Sequence, residues 1–507
     1  MGEGKVYLVG AGPGDPELLT LKGLRCLQQA QLVLYDSLAN TVLLRHVGPD
    51  CETYDVGKKP GSHRSQQADI NRLMIEGARL GKTVVRLKGG DPFLFGRGGE
   101  EADSLRKAGV QIEVVSGVTS PISVPAYAGI PVTHREFSPH LTIVTGHRAA
   151  LDGPPEIDWG ALARLDGTLV ILMGVRNRAE ISRRLIAGGR PAETPVAVIQ
   201  QGTLPSQKTI RARLDELAQV AAESPAIIVV GKVVDLRMDW FEDRPLFGRC
   251  ILVTRSAEQS GSLSVSLQDL GAEVLEAPVI AFAEPQDWSA VDAAIDRAET
   301  YRWVVFASVN AVDRFFSRVL NNGRDLRIFH NARFAAVGPA TAARIEAYNV
   351  RVTFCPAEHS AEGLAAGLKA EDLSGQDILI PRQEVAREHL VEALSSLGAA
   401  PHEVVVYRTV APGQLPKSVL QSLEGGTVDL ISFTSSSTVR NLFTLTDGIL
   451  DRSKLLDVPT ACIGPSTSRT AIELGFKVVA SPTVDEVTLE GLVEVIRNYF
   501  CSEASLL

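Results

Sequence analysis

At 507 residues, with 45% hydrophobic and 22% charged side chains, the chain is too long for one core and has an ordinary globular composition, so about three compact units are expected. The net charge of −9 is uneven: up to Pro245 there are 29 Lys and Arg against 28 Asp and Glu, which leaves 22 against 32 for the remainder. Neither part is basic, which argues against a nucleic-acid partner and leaves any polyanionic substrate to local cations. The six cysteines are scattered without a CxxC pair, against a disulfide framework or structural zinc and in keeping with a reducing cytoplasm. No signal-peptide pattern opens the chain and no apolar run approaches the roughly 20 residues of a membrane span, so a cytoplasmic protein without membrane contact is expected.

The chain opens as a strand over Val6–Val9, a loop from Gly10 to Asp15, and a helix from about Pro16. Asp15 is a plausible N-cap with Pro16 at the first helical position. A dinucleotide fingerprint is not met: the glycines are Gly10, Gly12 and Gly14, and Pro13 removes a loop N–H. The apolar run Leu32–Tyr35 ends at Asp36, at the strand edge where open α/β sheets hold ligands. Lys58 lies in a glycine-bounded loop. A further strand then leads into RLKGGDPFLFGRGGEE, Arg86 to Glu101, in which Gly89 and Gly90 allow a sharp turn and close approach of a ligand to the backbone. Asp91 and Pro92 set the turn, and Glu100 and Glu101 open a helix as acids at its positive end. Downstream come Val114–Ser120, the segment AGIPVTHR around His134, and Thr145-Gly-His147. The two histidines lack metal-ligand spacing and companions. DGPPEID, residues 152 to 158, marks a linker. Strands and helices then alternate through Thr168–Met173, Val196–Ile199, Gly202 and Ala226–Gly231.

GAGPGDPELLT and RLKGGDPFLFGRGGEE together resemble the tetrapyrrole methylases, most closely the uroporphyrinogen-III C-methyltransferases. The resemblance implies a two-lobed α/β methylase over residues 1–246, with lobes of about 1–150 and 151–246, that uses S-adenosylmethionine. Carried over position by position, the cofactor contacts fall at Pro13, Gly89, Gly90, Asp91, Leu94, Thr119, Ser120, Met173, Gly202 and Ala226. Asp36 becomes the proton acceptor and Lys58 the proton donor, and a homodimer through this half is expected. Ser116 stands where the family usually has proline. A carboxylate-rich tetrapyrrole needs cations; Lys58, Lys59, His63, Arg64, Lys88, Arg97, Arg135 and Arg148 lie in or beside these loops.

The pattern breaks at Trp240 to Gly248, which places a domain boundary near Leu246. The sequence beyond that boundary carries an internal repeat. ILVTR ending at Arg255 recurs as ILIPR ending at Arg382; Gly271 recurs as Gly398 and Ser308 as Ser435; Gly338 recurs as Gly464. Each copy reads strand, helix, strand, Ser/Thr loop, helix, strand and GP loop, predicting two similar α/β lobes with parallel sheets. This half, residues 247–507, resembles uroporphyrinogen-III synthase. The resemblance implies substrate contacts at Ser308, Thr341, Arg382, Thr434, Ser435, Ser437 and Thr467, with Arg255 and Arg387 near the cleft, and Tyr407 as the acid assisting hydroxyl departure. Ala307 stands where the family often has threonine.

The combined expectation is a two-enzyme fusion: cyclisation of hydroxymethylbilane to uroporphyrinogen III, then double methylation to precorrin-2 for sirohaem or cobalamin synthesis. The alternatives are a methylase of a later corrin intermediate joined to a bilobal ligand-binding regulatory module, and, least favoured on glycine spacing, a nicotinamide oxidoreductase.

Overall fold

Four short apolar runs and one exposed polar edge strand, β3, set up the first sheet: β1 (Lys5–Gly10), β2 (Leu32–Tyr35), β3 (Glu52–Asp55), β4 (Thr83–Lys88) and β5 (Gln111–Val115). Val6, Leu8, Val9, Val33, Leu34, Val84 and Val85 are buried, so the central strands are covered on both faces, as parallel strands between helices must be. The order is β3-β2-β4-β1-β5 and every pairing is parallel. The computed structural model describes residues 4–57, 67–146, 157–254, 261–358, 360–369, 371–384, 389–410, 412–483 and 486–504.

A second sheet is built from β6 (Leu141–Thr145), β7 (Thr168–Leu172), β8 (Pro195–Gln200), β9 (Lys208–Arg213) and β10 (Ala226–Val230) in the order β6-β7-β10-β8-β9. It is mixed: β6 and β7 are parallel, while β10 runs antiparallel to both β7 and β8. That reversal brings the start of β10 beside the ends of β7 and β8, with Ala226 opposite Gln200 and Ile227 opposite Leu172. Three separated segments thus share one sheet edge.

The chain divides into two compact units, one of Met1–Ile251 with Val265–Val274 and Ile496–Leu507, the other of Leu252–Ser264 with Leu275–Val495. In the first unit the Trp240–Gly248 segment is no loose connector. Arg211 pairs with Asp239 at 2.6 Å, Gln207 donates to Glu242, and the Trp240 indole donates to Ala126 O at 3.0 Å.

The second half realises the repeat in an exchanged form. β11 (Cys250–Val253) and β12 (Glu273–Glu276) open the first copy. The chain then enters β13 (Ala281–Ala283), β14 (Trp303–Phe306), β15 (Arg333–Ala336), β16 (Val352–Phe354), β17 (Asp377–Gln383) and β18 (Ala400–Val410), which make one six-stranded sheet, β13-β18-β17-β14-β15-β16. β19 (Leu430–Phe433), β20 (Pro459–Cys462) and β21 (Lys477–Ala480) return to β11 in the order β12-β11-β19-β20-β21. Each sheet therefore joins the opening strands of one copy to the closing strands of the other. The Thr254 hydroxyl donates to Ser432 O at 2.7 Å and the Ser432 hydroxyl to Leu252 O, fastening the two copies within one sheet. Repeat-related positions share backbone roles: Gly271 (φ 97°) and Gly398 (φ 84°) both take the left-handed conformation that glycine tolerates. β14 to β18 pair in parallel, as do β19, β20 and β21, while β13 runs antiparallel to β18.

Candidate functional site

Above the first sheet, the loops after β1, β4 and β5 meet backbone to backbone. Ala11 N donates to Lys88 O at 2.7 Å and Gly90 N to Gly12 O at 2.7 Å. A Cβ on Gly10 would lie 2.5 Å from Gly117 Cα, and one on Gly117 would lie 2.2 Å from Gly90 O. Only glycine permits this approach. Gly89 is closed on its other side, where a Cβ would fall 2.7 Å from that of Leu38. Gly90 differs: its φ is 66°, and a Cβ there would meet nothing, so open space lies against its backbone. Asp91 holds the arrangement, accepting from Phe93 N at 2.8 Å and Gly117 N at 3.1 Å.

The edge of the second sheet closes on the same loops. Asp15 N donates to the Thr203 hydroxyl at 3.0 Å, the Asn40 amide to Gly14 O at 2.8 Å, and Tyr127 to Asp15 Oδ2 at 2.8 Å. Gly202 sits against Val124 of the Ser120–Tyr127 helix, so closely that a Cβ would meet Val124 Cγ1 at 2.3 Å. The non-glycine residues Met173 (φ 55°), Gln201 (φ 48°) and Thr203 (φ 69°) all adopt left-handed backbone here, conformations that persist only where surroundings enforce them and that cluster at ligand sites. Met173, at the end of an apolar strand, is half exposed and is not part of the core.

The expected cofactor positions thus fall on two facing groups of loops. Pro13, Gly89, Gly90, Asp91 and Leu94 lie on the β1 and β4 loops, Thr119 and Ser120 at the start of the following helix, and Met173, Gly202 and Ala226 on the second-sheet edge. Backbone amides, open space at Gly90 and the Met173 side chain fit a neutral-ribose, adenine-bearing cofactor without phosphate. Lys58 lies outside the described residues, as do Lys59, His63, Arg64, His147 and Arg148. His134 is tied into its own loop, where its ring stacks on Phe137 at 4.6 Å and its Nδ1 accepts from Glu136 N.

Beneath Asp36 lies a feature that sequence reading missed. Arg86 and Lys88, on alternate positions of β4, are each only 4% exposed, and Glu101 is fully buried. Arg86 Nη2 reaches Asp36 Oδ2 at 3.3 Å and Nε reaches Glu101 Oε1 at 3.3 Å, while Lys88 Nζ lies 3.0 Å from Glu101 Oε2. Glu101 is therefore no solvated helix-dipole acid: it turns inward with Gly98 and Leu105 on the buried face of the helix Gly98–Lys107, a spacing visible in the sequence. Lys88 is correspondingly no exposed partner for substrate carboxylates. Burial, and next the field of Arg86, pull its ammonium below the usual lysine range. Arg97 is exposed but paired with Glu100 at 2.5 Å.

In the second unit the candidate residues fall on two sheet edges. On the six-stranded sheet, the Tyr407 hydroxyl lies 3.2 Å from Ser308 Oγ and also bonds the Asn310 side chain. Its ring is buried edge-on to Phe282 at 5.5 Å, and burial raises its pKa. Ser308 at the same time caps the helix Val309–Asn321 by accepting from Ala311 N. On the five-stranded sheet Ser435 caps the helix Ser436–Leu445 in the equivalent way and lies 2.9 Å from Ser437 Oγ, next to Thr434. Thr341 and Thr467, both buried, occupy the third positions of the helices Pro339–Glu346 and Pro465–Glu473. Arg382 is not a free cation, because its Nε pairs with Glu403 at 2.6 Å and its Nη1 donates to the carbonyls of Gln383 and Glu384. Arg255 and Arg387 lie outside the described residues. Asn310, part of a polar cleft of about 340 Å³ with Glu284, Trp288 and Arg314, was not expected; nothing in its sequence context separates it from a helix-surface amide.

Residues 5–218 match the model of the tetrapyrrole (corrin/porphyrin) methylases, and residues 261–494 that of uroporphyrinogen-III synthase HemD. The porphyrin biosynthesis protein HemD of Ruminiclostridium josui is 36% identical over 98% of this chain and 99% of its own length. The uroporphyrinogen-III C-methyltransferase of Bacillus subtilis is 43% identical over 64% of this chain and 68% of its own. The S-adenosyl-L-methionine-dependent uroporphyrinogen III methyltransferase of Methanosarcina barkeri is 49% identical over 46% of this chain and 93% of its own.

Proposed function

The chain belongs to the tetrapyrrole methylases through its first half and to the uroporphyrinogen-III synthases through its second, and on that basis we propose how its residues carry out two successive steps of tetrapyrrole biosynthesis. The second half cyclises hydroxymethylbilane to uroporphyrinogen III; the first half methylates that product twice to precorrin-2, with S-adenosylmethionine as methyl donor. The observation that carries this reading is the pairing of both families along one chain, matched end to end by a single relative.

In the first half, S-adenosylmethionine supplies a sulfonium methyl group to a pyrrole carbon. Pro13, Gly89 to Asp91, Leu94, Thr119, Ser120, Met173, Gly202 and Ala226 hold the donor; the fixed glycine loops keep its bound geometry constant, and orientation of this kind lowers barriers by about 7–11 kcal/mol in favourable cases. Asp36 accepts the proton lost from the methylated macrocycle, and Lys58 is the proton donor. Positioned acid–base groups add roughly a hundred- to ten-thousandfold. This half works as a homodimer.

In the second half, departure of the hydroxyl from hydroxymethylbilane breaks a C–O bond, and attack by the terminal pyrrole forms a C–C bond. Inversion of that ring breaks its original C–C link and remakes it at the ring's other α-carbon, whose hydrogen leaves as the proton that completes the balance of the released water. Tyr407 donates the hydrogen bond to the departing oxygen. Ser308, Thr341, Thr434, Ser435, Ser437 and Thr467 hold the folded chain of pyrroles, and Arg382, already neutralised by Glu403, orients rather than supplies charge. The two activities divide at residues 246 and 247.

Anaerobic incubation of the full chain with hydroxymethylbilane and S-adenosylmethionine tests the reading, with products separated and weighed. Doubly methylated type-III product is expected. Unmethylated type-I macrocycle alone, the product of spontaneous closure, would remove the synthase assignment and leave the methylase to be tested with supplied uroporphyrinogen III.

A further inference from the structure

We propose that Glu101, acting through Arg86, is the residue that positions Asp36 for proton removal in the methylase half, with Lys88 holding Glu101 in place. The inference rests on the reading of Asp36 as the proton acceptor. Neither Glu101 nor its link to Asp36 is implied by the cofactor contacts themselves.

The geometry is a chain of alternating charges. Asp36 Oδ1 accepts from Leu38 N at 3.2 Å, and its other oxygen receives Arg86 Nη2 at 3.3 Å. Arg86 Nη1 donates to Leu34 O at 3.3 Å and Leu87 O at 3.0 Å, and Nε faces Glu101 Oε1. A guanidinium is a rigid planar fork, so fixing its Nε and Nη1 sides dictates where Nη2 points. Glu101 is itself fixed from behind: Gln67 Nε2 donates to Oε1 at 3.0 Å, and Lys88 Nζ lies within 3.1 Å of both carboxylate oxygens. The four charges sum to zero in a site where Arg86, Lys88 and Glu101 are shielded from water, and burying such groups costs several kcal/mol each unless they are paired. A hydrophobic cluster of similar volume would stabilise the sheet as well. Stability alone therefore does not account for this arrangement, and its outer end reaches the carboxylate at the strand edge beside the cofactor loop.

The test is a double-mutant cycle on the full chain, with methyl transfer to supplied uroporphyrinogen III as the assay. Glu101→Gln is expected to lower kcat about a hundredfold, the scale of a misplacement of about 1 Å in a reacting group, while KM for S-adenosylmethionine stays within about twofold. In an Asp36→Asn background the same change should lower kcat no further, since the two residues act as one unit. Multiplicative losses, with Asp36→Asn slow and Glu101→Gln slowing it again, would overturn the inference and leave the Asp36 assignment standing. Asp36→Asn at the unsubstituted rate would overturn both. Should Glu101→Gln fail to fold because it strands two buried cations, the charge-balanced Glu101→Gln/Lys88→Met pair replaces it under the same criteria.

Discussion

Tyr127 hands its phenol hydrogen to Oδ2 of Asp15 across 2.8 Å, and so ties the helix Ser120–Tyr127 to the loop that carries Pro13. Its ring is clamped edge-on by Trp240 and Phe241, at 5.1 and 4.7 Å between centroids. The Trp240–Gly248 segment at the domain boundary thus also supports the loop that carries Pro13. Burial first, and then Asp15, push the Tyr127 pKa up, so the phenol stays a donor over the working range.

Tyr127→Phe keeps the ring and deletes this one bond. A hydrogen bond to a charged acceptor contributes about 1.5–3 kcal/mol, and partial solvent access at Asp15 reduces that here. Stability is expected to fall by about 1–2 kcal/mol in urea denaturation of the first unit's transition. Affinity for S-adenosylhomocysteine, measured by titration calorimetry, should weaken several-fold, by less than the roughly tenfold that 1.4 kcal/mol would give. Unchanged affinity would mean that Thr203 alone fixes the loop through Asp15 N.

Met173 separates a ligand wall from a packing residue. It is half exposed at φ 55°, where a non-glycine residue costs roughly 1 kcal/mol or more. Met173→Gly relieves that strain and loses little packing, while gaining unfolded-chain entropy. Stability should therefore change by less than about 1 kcal/mol, the two effects offsetting. Cofactor affinity should drop about tenfold if the thioether lies against the adenine, worth about 1.4 kcal/mol. A large loss of stability with unchanged affinity would return Met173 to the core.

Much of this architecture is legible in the sequence because glycine and periodicity carry it. Gly89 and Gly90 announce the sharp turn after β4, and the repeat at Ser308 and Ser435 announces equivalent loop-to-helix junctions, which the structure contains as matched helix caps. What sequence could not show is which copy pairs with which. Local signals define each strand, yet the choice of β19 rather than β14 as the neighbour of β11 is made by long-range contacts such as Thr254 to Ser432. Charged residues misled for a related reason: Lys88 and Glu101 look like surface groups until tertiary packing buries each against the other. Arg86 was the available clue, a cation inside an otherwise apolar strand.

Tyr407→Phe tests the acid assigned to the synthase half. Phenylalanine preserves the packing on Phe282 and removes the hydroxyl shared with Ser308 and Asn310. Formation of type-III macrocycle is expected to slow about a hundredfold, the low end of a positioned acid's contribution, with type-I product accumulating. Methylation of supplied uroporphyrinogen III should be unaffected. Ser308→Ala is the control for position: it removes a cap worth about 1 kcal/mol but leaves the phenol, so slowing comparable to Tyr407→Phe would move the role to the serine.

Cys462, at the end of β20 and fully buried, contributes a pH-dependent part of the second unit's stability in alkali. Burial pushes its thiol from 9.0 up to about 11, a shift that Ser468 moderates by hydrogen bonding. In the unfolded chain the thiol ionises near its ordinary value, while the folded protein retains the proton. Between pH 9 and about 11 the folded state thus binds more protons than the unfolded state, and stability falls as pH rises through that window. Below pH 9 both states are protonated and this contribution is complete. The slope is at most about 1.4 kcal/mol per pH unit. Urea unfolding of the unsubstituted chain and of Cys462→Ala, compared from pH 8 to 11, isolates it. The alanine variant begins less stable because of the cavity it leaves, and its disadvantage should shrink steadily above pH 9. A constant gap would show that the thiolate is accommodated in the folded strand. Alkylation in the native state gives an independent reading: Cys462 should resist iodoacetamide up to pH 9 and react only as the unit unfolds.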